Sequence, residues 1–284
     1  MFNLTSPSAV KAWCIENGFH PNRTLGQNFL IDRNILDAIL DASGAAEGQR
    51  VLEIGPGLGV LTEGLLARGT QVTAVEKDTR LATRLAEALG NPAALRVMAA
   101  DALEVDWDAL LGEGFDVCVS NLPYSVGTRI LLDIALHPRA PQSFTVLVQT
   151  EVAKRFAAPP NAEARGQAGV WLQLDYDVRL VRAVKGSCFW PRPEVGSSIV
   201  RLDRHGSNLT EEERRWFFDL TRHAFMHRRK QLAATLRKAP EPLGREDAIL
   251  AALFNEAGVE PVTRAEQLSN TQWQALAHAF AHSP

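Results

Sequence analysis

Short apolar runs that fit buried β-strands alternate with amphipathic helical patterns over the first two-thirds of the chain, and this alternation constrains the fold most. Such an order is typical of a mostly parallel sheet covered by crossover helices. The predicted strands are residues 50–54, 71–75, 95–99, 115–120, 144–149, 178–184 and 197–203. The predicted crossover helices are residues 58–68, 78–89, 128–136 and 151–157.

The strand signal ends after about residue 207. Thr210, followed three residues later by Glu213, predicts a capping box that opens the first of several helices. The sequence therefore predicts an α/β protein with two domains. Residues 1–206 would form a seven-stranded sheet domain with an N-terminal extension, and residues 207–284 a small all-helical domain.

Composition is that of an ordinary folded protein, with 46% hydrophobic and 22% charged residues. The N-terminus lacks the basic and apolar regions of a secretory signal, and no stretch has the length and apolarity of a membrane span. We therefore expect a cytoplasmic protein with no membrane partner, and a monomer by default. Cys14, Cys118 and Cys188 lack zinc-ligand spacing, so we expect no metal.

The net charge of −3 hides a strong local asymmetry. Residues 178–240 hold 14 Lys and Arg against 6 Asp and Glu. Because a polyanion responds to charge within about 10 Å, this basic segment is compatible with nucleic-acid binding.

A glycine-rich turn follows the first of the seven strands, in the sequence VLEIGPGLG of residues 51–59. Open α/β sheets bind ligands at such turns, where Gly55 and Gly57 allow close backbone approach. Glu76, at the end of the next strand, can accept hydrogen bonds from both hydroxyls of a ribose. These residues predict a cofactor that contains adenosine.

The spacing of the glycines distinguishes between two cofactors that contain adenosine, NAD and S-adenosylmethionine. The dinucleotide pattern G-x-G-x-x-G requires glycine where this chain has Val60. Pro56 also removes a backbone donor that a pyrophosphate would use, which favours S-adenosylmethionine over NAD. Asp101, after the third strand, can accept a hydrogen bond from the adenine amine, although in isolation Asp101 could be a helix cap and the glycines a tight turn.

The fourth strand ends in Asn121-Leu122-Pro123-Tyr124, at the predicted ligand-binding edge. The exocyclic amine of adenine is a poor nucleophile, since its lone pair is delocalised into the ring. The Asn121 side-chain oxygen and the Leu122 carbonyl can accept its hydrogens, and Tyr124 can stack on the base. An ordinary strand-to-loop turn is the alternative interpretation.

Taken in order along nearly the whole chain, these motifs resemble the ribosomal RNA adenine dimethyltransferase family. The family has a KsgA/RsmA branch, acting on small-subunit RNA, and an Erm branch of antibiotic-resistance methylases. The KsgA/RsmA branch is favoured by FWPRPEVGSS at 189–198 and FMHRRKQL at 225–232. One departure is Ala100, where the family usually has glycine. Further shared motifs are GQNFL at 26–30, EKD at 76–78, DAL at 101–103 and QTEVAKR at 149–155.

The resemblance implies a Rossmann-like class I methyltransferase domain that binds S-adenosylmethionine, with Asn28 and Leu30 at the methionine end. Phe189 would cover the target base opposite Tyr124. The predicted cofactor site comprises Asn28, Leu30, Gly55, Gly57, Glu76, Asp101, Ala102 and Asn121. The predicted catalytic residues are Asn121, Leu122, Tyr124 and Phe189.

The implied substrate is a pair of adjacent adenosines in the 3′-terminal hairpin loop of 16S rRNA, dimethylated late in 30S subunit assembly. Three alternatives stay open: an Erm-like methylase acting on 23S rRNA, a non-catalytic ribosome assembly factor, and a DNA adenine methyltransferase. RNA contact is predicted for Arg222, Arg228, Arg229 and Lys230, with Arg23, Lys185 and Arg192 as weaker candidates. A solvated helix face is the other interpretation of this basic segment.

Overall fold

The chain folds into two compact units, seen in a computed structural model that describes residues 4–21 and 26–283. The first unit, a sheet unit, contains residues 1–153 and 177–204. The second, a helical unit, contains residues 154–176 and 205–284. Arg23 lies outside the described residues.

The strands are β1 (Phe29–Leu30), β2 (Arg50–Ile54), β3 (Gln71–Glu76), β4 (Leu95–Ala99), β5 (Val117–Asn121), β6 (Ser143–Gln149), β7 (Tyr176–Val184), β8 (Phe189–Trp190) and β9 (Ser197–Arg204). The helices are α1 (Pro7–Glu16), α2 (Arg33–Ser43), α3 (Val60–Ala67), α4 (Thr79–Ala88), α5 (Trp107–Leu111), α6 (Gly127–Ala135), α7 (Thr150–Phe156), α8 (Gln167–Asp175), α9 (Glu211–Met226), α10 (Leu232–Leu236), α11 (Asp247–Glu256) and α12 (Asn270–Ala281).

Seven strands form the main sheet in the order β4-β3-β2-β5-β6-β9-β7, and β1 pairs with β8 in a small second sheet. β2 to β6 run parallel to one another, as the predicted crossover helices require. β9 is antiparallel to β6, so the sheet is mixed. The predicted α/β class and its seven strands are confirmed.

The core of the sheet unit lies between the apolar strands and the helices beside them. Buried residues of β2, β3 and β5 pack with those of α2 and α3. Asp32 caps α2 by accepting from the Ile35 amide at 3.1 Å, and Gly44 ends the helix in the left-handed conformation. This packing holds the carboxyl ends of β2 to β5 at one edge of the sheet.

The first helix in the second segment of the helical unit begins where the sequence predicts. Thr210 caps α9, and Glu213 completes the capping box. The unit has its own core, in which Phe217, Leu220 and Trp273 are fully buried. Helices in the described ranges all fall short of the length and apolarity that a membrane span requires.

The division of the chain differs from the predicted boundary at 206/207. Residues 154–176 belong to the helical unit, because Val170 and Leu174 of α8 are buried in its core. Arg165 reinforces this grouping by donating to the Asn270 side chain of α12 at 2.8 Å. Contacts between segments far apart in the chain decide which unit a helix joins, and the local sequence pattern does not show such contacts.

Candidate active site

The turn after β2 requires glycine for two separate reasons. Gly55 and Gly57 both have positive φ, at +66° and +59°, where other residues are strained. A side chain at Gly57 would also meet the Phe29 ring, whose nearest atoms lie 3.1 Å from the place that a Cβ atom would occupy. The turn therefore leaves its backbone open at the sheet edge.

Glu76 ends β3 beside this turn and is only 6% exposed. One carboxylate oxygen accepts from the Gly57 amide at 3.0 Å and the other from the Asp78 amide at 2.8 Å. Burial raises the pKa of Glu76, while these two hydrogen bonds oppose that rise. Each oxygen keeps a lone pair that can accept from a further hydroxyl group.

Asp101 follows β4 and is held in place by two donors. Its carboxylate accepts from the Lys77 ammonium at 2.6 Å and from the Leu103 amide at 3.0 Å. The hydrogen bond from Lys77 is the main reason why the pKa of Asp101 is lowered. The group is therefore an anionic acceptor at neutral pH.

Asn121 ends β5, and its amide group is oriented by the segment before β1. Its Nδ2 donates to the Asn28 carbonyl at 3.0 Å, and Asn28 Nδ2 donates to the Gly26 carbonyl at 3.1 Å. Because Asn121 Nδ2 already donates to a backbone carbonyl, Oδ1 is left to accept a hydrogen. This gives Asn28 a positioning contact with Asn121 that the sequence did not predict.

Tyr124 lies on the cavity wall, and its hydroxyl is hydrogen-bonded to the Ser197 hydroxyl at the start of β9. Burial raises the pKa of Tyr124, so the phenol is neutral at physiological pH. Leu122 is anchored by its amide, which donates to the Leu147 carbonyl at 3.1 Å. The tetrapeptide is thus tied to both β6 and β9.

These side chains surround one cavity at the carboxyl edge of the sheet, which measures about 1190 Å³ including the space open to solvent. It brings together all of the predicted cofactor residues and two of the remaining predicted catalytic residues. Those lining it are Asn28, Leu30, Gly55, Gly57, Glu76, Asp101, Ala102, Asn121, Leu122 and Tyr124.

The position of Phe189 differs from the one expected, which was facing the cavity opposite Tyr124. Phe189 is 2% exposed, lies in β8 opposite Leu30 of β1, and packs in the core with Val184 and Ile199. The antiparallel pairing of β1 with β8 buries this ring among apolar side chains. In this arrangement Phe189 supports the segment that carries Asn28 and Leu30.

Glu53 is a buried acid behind the glycine turn for which the sequence predicted no role. It is 1% exposed, and one of its oxygens accepts from the Thr62 hydroxyl at 2.7 Å. The other oxygen has no hydrogen-bond partner among the described residues. Desolvation raises the pKa of Glu53 to about 8, so this carboxyl group is mostly protonated at pH 7.

The predicted RNA-contact residues lie in the helical unit, at the end of α9 and in the turn before α10. Arg222, Arg229 and Lys230 are exposed. Arg228 is half-buried instead, forms an ion pair with Glu266 at 3.6 Å and donates to the Glu163 carbonyl. Three of the four side chains are therefore exposed, although Arg222 is paired with Asp219 at 3.1 Å, and Arg228 also holds the unit together.

The polar groups that line the cavity fit S-adenosylmethionine. Glu76 and Asp101 offer acceptors for ribose hydroxyls and an adenine amine. The turn is poorly suited to pyrophosphate, because Pro56 has no N–H, the Gly57 N–H is bound to Glu76, and that carboxylate would repel a phosphate. The fold and this site define a class I S-adenosylmethionine-dependent methyltransferase.

Comparison with known proteins identifies the family. The ribosomal RNA adenine dimethylase family matches residues 18–282. The chain belongs to this family, as its motifs predict, and is an rRNA methyltransferase that uses S-adenosylmethionine.

Relatives that match nearly the whole chain carry the name ribosomal RNA small subunit methyltransferase A. The protein of Deinococcus radiodurans is 41% identical, over 98% of this chain and 91% of its own. That of Clostridium perfringens is 36% identical, over 92% of this chain and 91% of its own.

Two solved structures share the fold. A dimethyladenosine transferase from Plasmodium falciparum is 24% identical with a TM-score of 0.74, over 87% of this chain and 95% of that one. The 23S rRNA methyltransferase ErmE is 26% identical with a TM-score of 0.67, over 89% of this chain and 99% of that one.

Proposed function

We propose that this enzyme dimethylates the N6 amines of two adjacent adenosines in the 3′-terminal hairpin loop of 16S rRNA, within the pre-30S subunit. The name of the relatives that match nearly the whole chain supports a small-subunit substrate. The observation that carries the proposal is the single cavity that joins Glu76 and Asp101 to the Asn121–Tyr124 tetrapeptide.

Glu76 and Asp101 would hold the adenosine part of the cofactor, and the segment of Asn28 and Leu30 its methionine end. When bound, S-adenosylmethionine supplies an electrophilic methyl group on a sulfonium. The task left to the chain is to place a weak nucleophile beside it and to exclude water.

Asn121 Oδ1 and the Leu122 carbonyl would accept the two hydrogens of the adenine amine. These contacts favour a more tetrahedral nitrogen, whose lone pair is withdrawn from the ring and becomes nucleophilic. Asn121 enters the reaction already oriented, because its Nδ2 is bound to Asn28. A strong general base is unnecessary, since methylation makes the nitrogen cationic and its proton acidic.

Tyr124 would stack on the target base after that base leaves its neighbours. Extrusion costs a few kcal/mol, and less from a hairpin loop than from a duplex. The hydrogen bond between Tyr124 and Ser197 fixes the ring before the base arrives. Stacking on a fixed ring offsets part of the cost of extrusion.

Arg222, Arg229 and Lys230 would bind phosphates that flank the target loop, because all three are exposed. Arg228 would contribute charge while paired with Glu266. An rRNA substrate would place the reaction in the cytoplasm, and we propose a monomer of 31.1 kDa, which light scattering can test.

The substrate can be tested with labelled S-adenosylmethionine and three acceptors: 30S particles that lack the modification, 50S particles and duplex DNA. We expect label only in the 30S particles, as N6,N6-dimethyladenosine at two adjacent positions near the 3′ end of 16S rRNA. Nucleoside analysis and primer extension identify the product and its position.

Each other result supports a different function. Label in 50S particles would indicate an Erm-like enzyme, and label in DNA a DNA adenine methyltransferase. Binding to 30S particles without label, although the cofactor is bound, would indicate an assembly factor without catalytic activity. Any of these results would overturn the proposal.

A further inference from the structure

A cluster of two histidines and one glutamate lies in the helical unit, where the start of α9 meets the end of α12. Glu213 is in the first turn of α9, and His278 and His282 are in the last turn and C-cap of α12. One nitrogen or oxygen atom from each side chain lies within 4.8 Å of the other two. We propose that Glu213, His278 and His282 bind one divalent transition-metal ion.

The two imidazoles are arranged as a helical metal site requires. They are four residues apart on one helix face, and their ring centroids are 4.3 Å apart. Both rings are exposed, so an ion can reach them from solvent. The pair therefore needs only a third ligand from a neighbouring helix.

Existing hydrogen bonds orient both rings for binding. His282 Nδ1 lies 2.9 Å from the His278 carbonyl oxygen, which can only accept, so this nitrogen carries the proton. His278 Nδ1 is hydrogen-bonded to the Glu213 carboxylate. For His282 this leaves the Nε2 lone pair for a metal. At His278 the ion would replace the proton between Nδ1 and the Glu213 oxygen, so that these two neighbouring atoms become ligands of the same ion.

Glu213 supplies the negative charge. It is buried at 7% exposure, and one oxygen is fixed by the Thr210 amide at 2.7 Å. The other oxygen is hydrogen-bonded to His278 Nδ1. The carboxylate is therefore held in position beside the two rings.

The ligand types select the class of ion. Imidazole nitrogens with a carboxylate suit Zn²⁺, Co²⁺, Ni²⁺ or Cu²⁺, whereas Mg²⁺ and Ca²⁺ prefer oxygen ligands throughout. Bound there, the ion would connect α9 to α12, two helices whose buried faces share the core of this unit. We expect it to stabilise the helical unit, since a ligand of the folded state raises its stability.

Zn²⁺ binding to the full-length chain without an affinity tag tests this site. Calorimetric titration should show one ion per chain, and Zn²⁺ should raise Tm. H278Q and H282Q should each weaken Zn²⁺ binding by at least tenfold and remove most of the rise in Tm. E213Q should also weaken binding, while its amide oxygen preserves the capping box with Thr210.

A matched control is the exposed His227, the C-cap of α9, whose ring lies beside that of the buried His223 at a centroid distance of 5.1 Å. The variant H227Q should bind Zn²⁺ like the unmodified chain. No binding at 100 µM Zn²⁺, unchanged binding in H278Q and H282Q, or loss of the ion in the control would each overturn the proposal.

Discussion

Tyr124 lines the cavity, and its hydroxyl is hydrogen-bonded to Ser197. We expect Tyr124→Ala to lower the rate of methyl transfer to RNA about 100-fold, since base stacking on an aromatic ring contributes about 1–3 kcal/mol. Binding of S-adenosylmethionine should stay near normal. Single-turnover methylation and calorimetry measure the two effects separately.

Tyr124→Phe is the matched control for that variant. It keeps the ring and removes only the hydroxyl, so its transfer rate should stay within about tenfold of the unmodified enzyme, the range of one hydrogen bond. Comparable turnover in Tyr124→Ala and the unmodified enzyme would refute the stacking role.

Glu53 makes the stability of the fold depend on pH in an unusual direction. Its pKa is about 8 in the folded state and near 4.5 when unfolded, so the folded state holds a proton that the unfolded state releases. Stability therefore falls as pH rises from 4.5 through 8, by up to about 1.4 kcal/mol per pH unit.

Glu53→Gln should remove this dependence, because the amide is neutral at every pH and similar in shape to the protonated acid. Denaturant unfolding between pH 5 and 8 should show the unmodified chain losing stability relative to the variant. Parallel pH profiles for the two chains would contradict the assignment of a buried protonated acid.

Among the elements, strands and crossover helices were predicted well because their signals are local. Apolar runs predicted all seven strands of the main sheet, and the polar residues after β2 to β5 were predicted to converge, as they do in the cavity. Residues after consecutive parallel strands must share one sheet edge. Gly55, Glu76, Asp101 and Asn121 could therefore be placed from the sequence.

The features that were missed depend on long-range contacts. The pairing of β1 with β8 joins two-residue segments that are far apart in sequence, and it determines that Phe189 is buried. The antiparallel direction of β9 is also invisible in its apolar pattern. The bond from Asn121 to Asn28 spans 93 residues, and Glu213 and His278 are 65 apart, so no spacing rule indicated either pair.

β2 and β5 are paired at only two positions, Val51 with Val117 and Leu52 with Cys118, before they separate at the cavity. Beyond that point the buried Ser120 hydroxyl accepts from the Ile54 amide at 2.9 Å. This side-chain bond connects the residue before Gly55 to the residue before Asn121.

Ser120→Ala should lower the free energy of unfolding by about 1–3 kcal/mol, because it leaves the buried Ile54 amide without its partner. It should also raise KM for the cofactor, as the turn loses its support. Denaturant unfolding and steady-state kinetics measure these changes. Thr83→Ala, which loses an exposed helix hydroxyl bond, is the control and should change stability by less than about 0.5 kcal/mol.

For the whole molecule, the basic segment predicts how RNA binding responds to salt. Arg229→Ala and Lys230→Ala should each weaken binding to a 16S rRNA fragment, since each removes an exposed charge proposed to contact phosphate. Each should also make the slope of log K against log salt shallower by about 1.

The matched control for charge is Arg33→Ala, which removes an exposed arginine of α2 paired with Asp37. Filter binding from 50 to 300 mM salt should give this control the slope of the unmodified chain. Equal slopes for all three variants would exclude a specific phosphate contact at Arg229 and Lys230.

The helical unit is built from two separate segments of the chain, so it cannot be removed by one cut. The polypeptide passes between the sheet unit and the helical unit three times, after residues 153, 176 and 204. A cut at 206/207 would leave α8 attached to the sheet unit with Val170 and Leu174 uncovered. Recombination at a single point cannot exchange the helical unit for another, because both of its segments have to be replaced together.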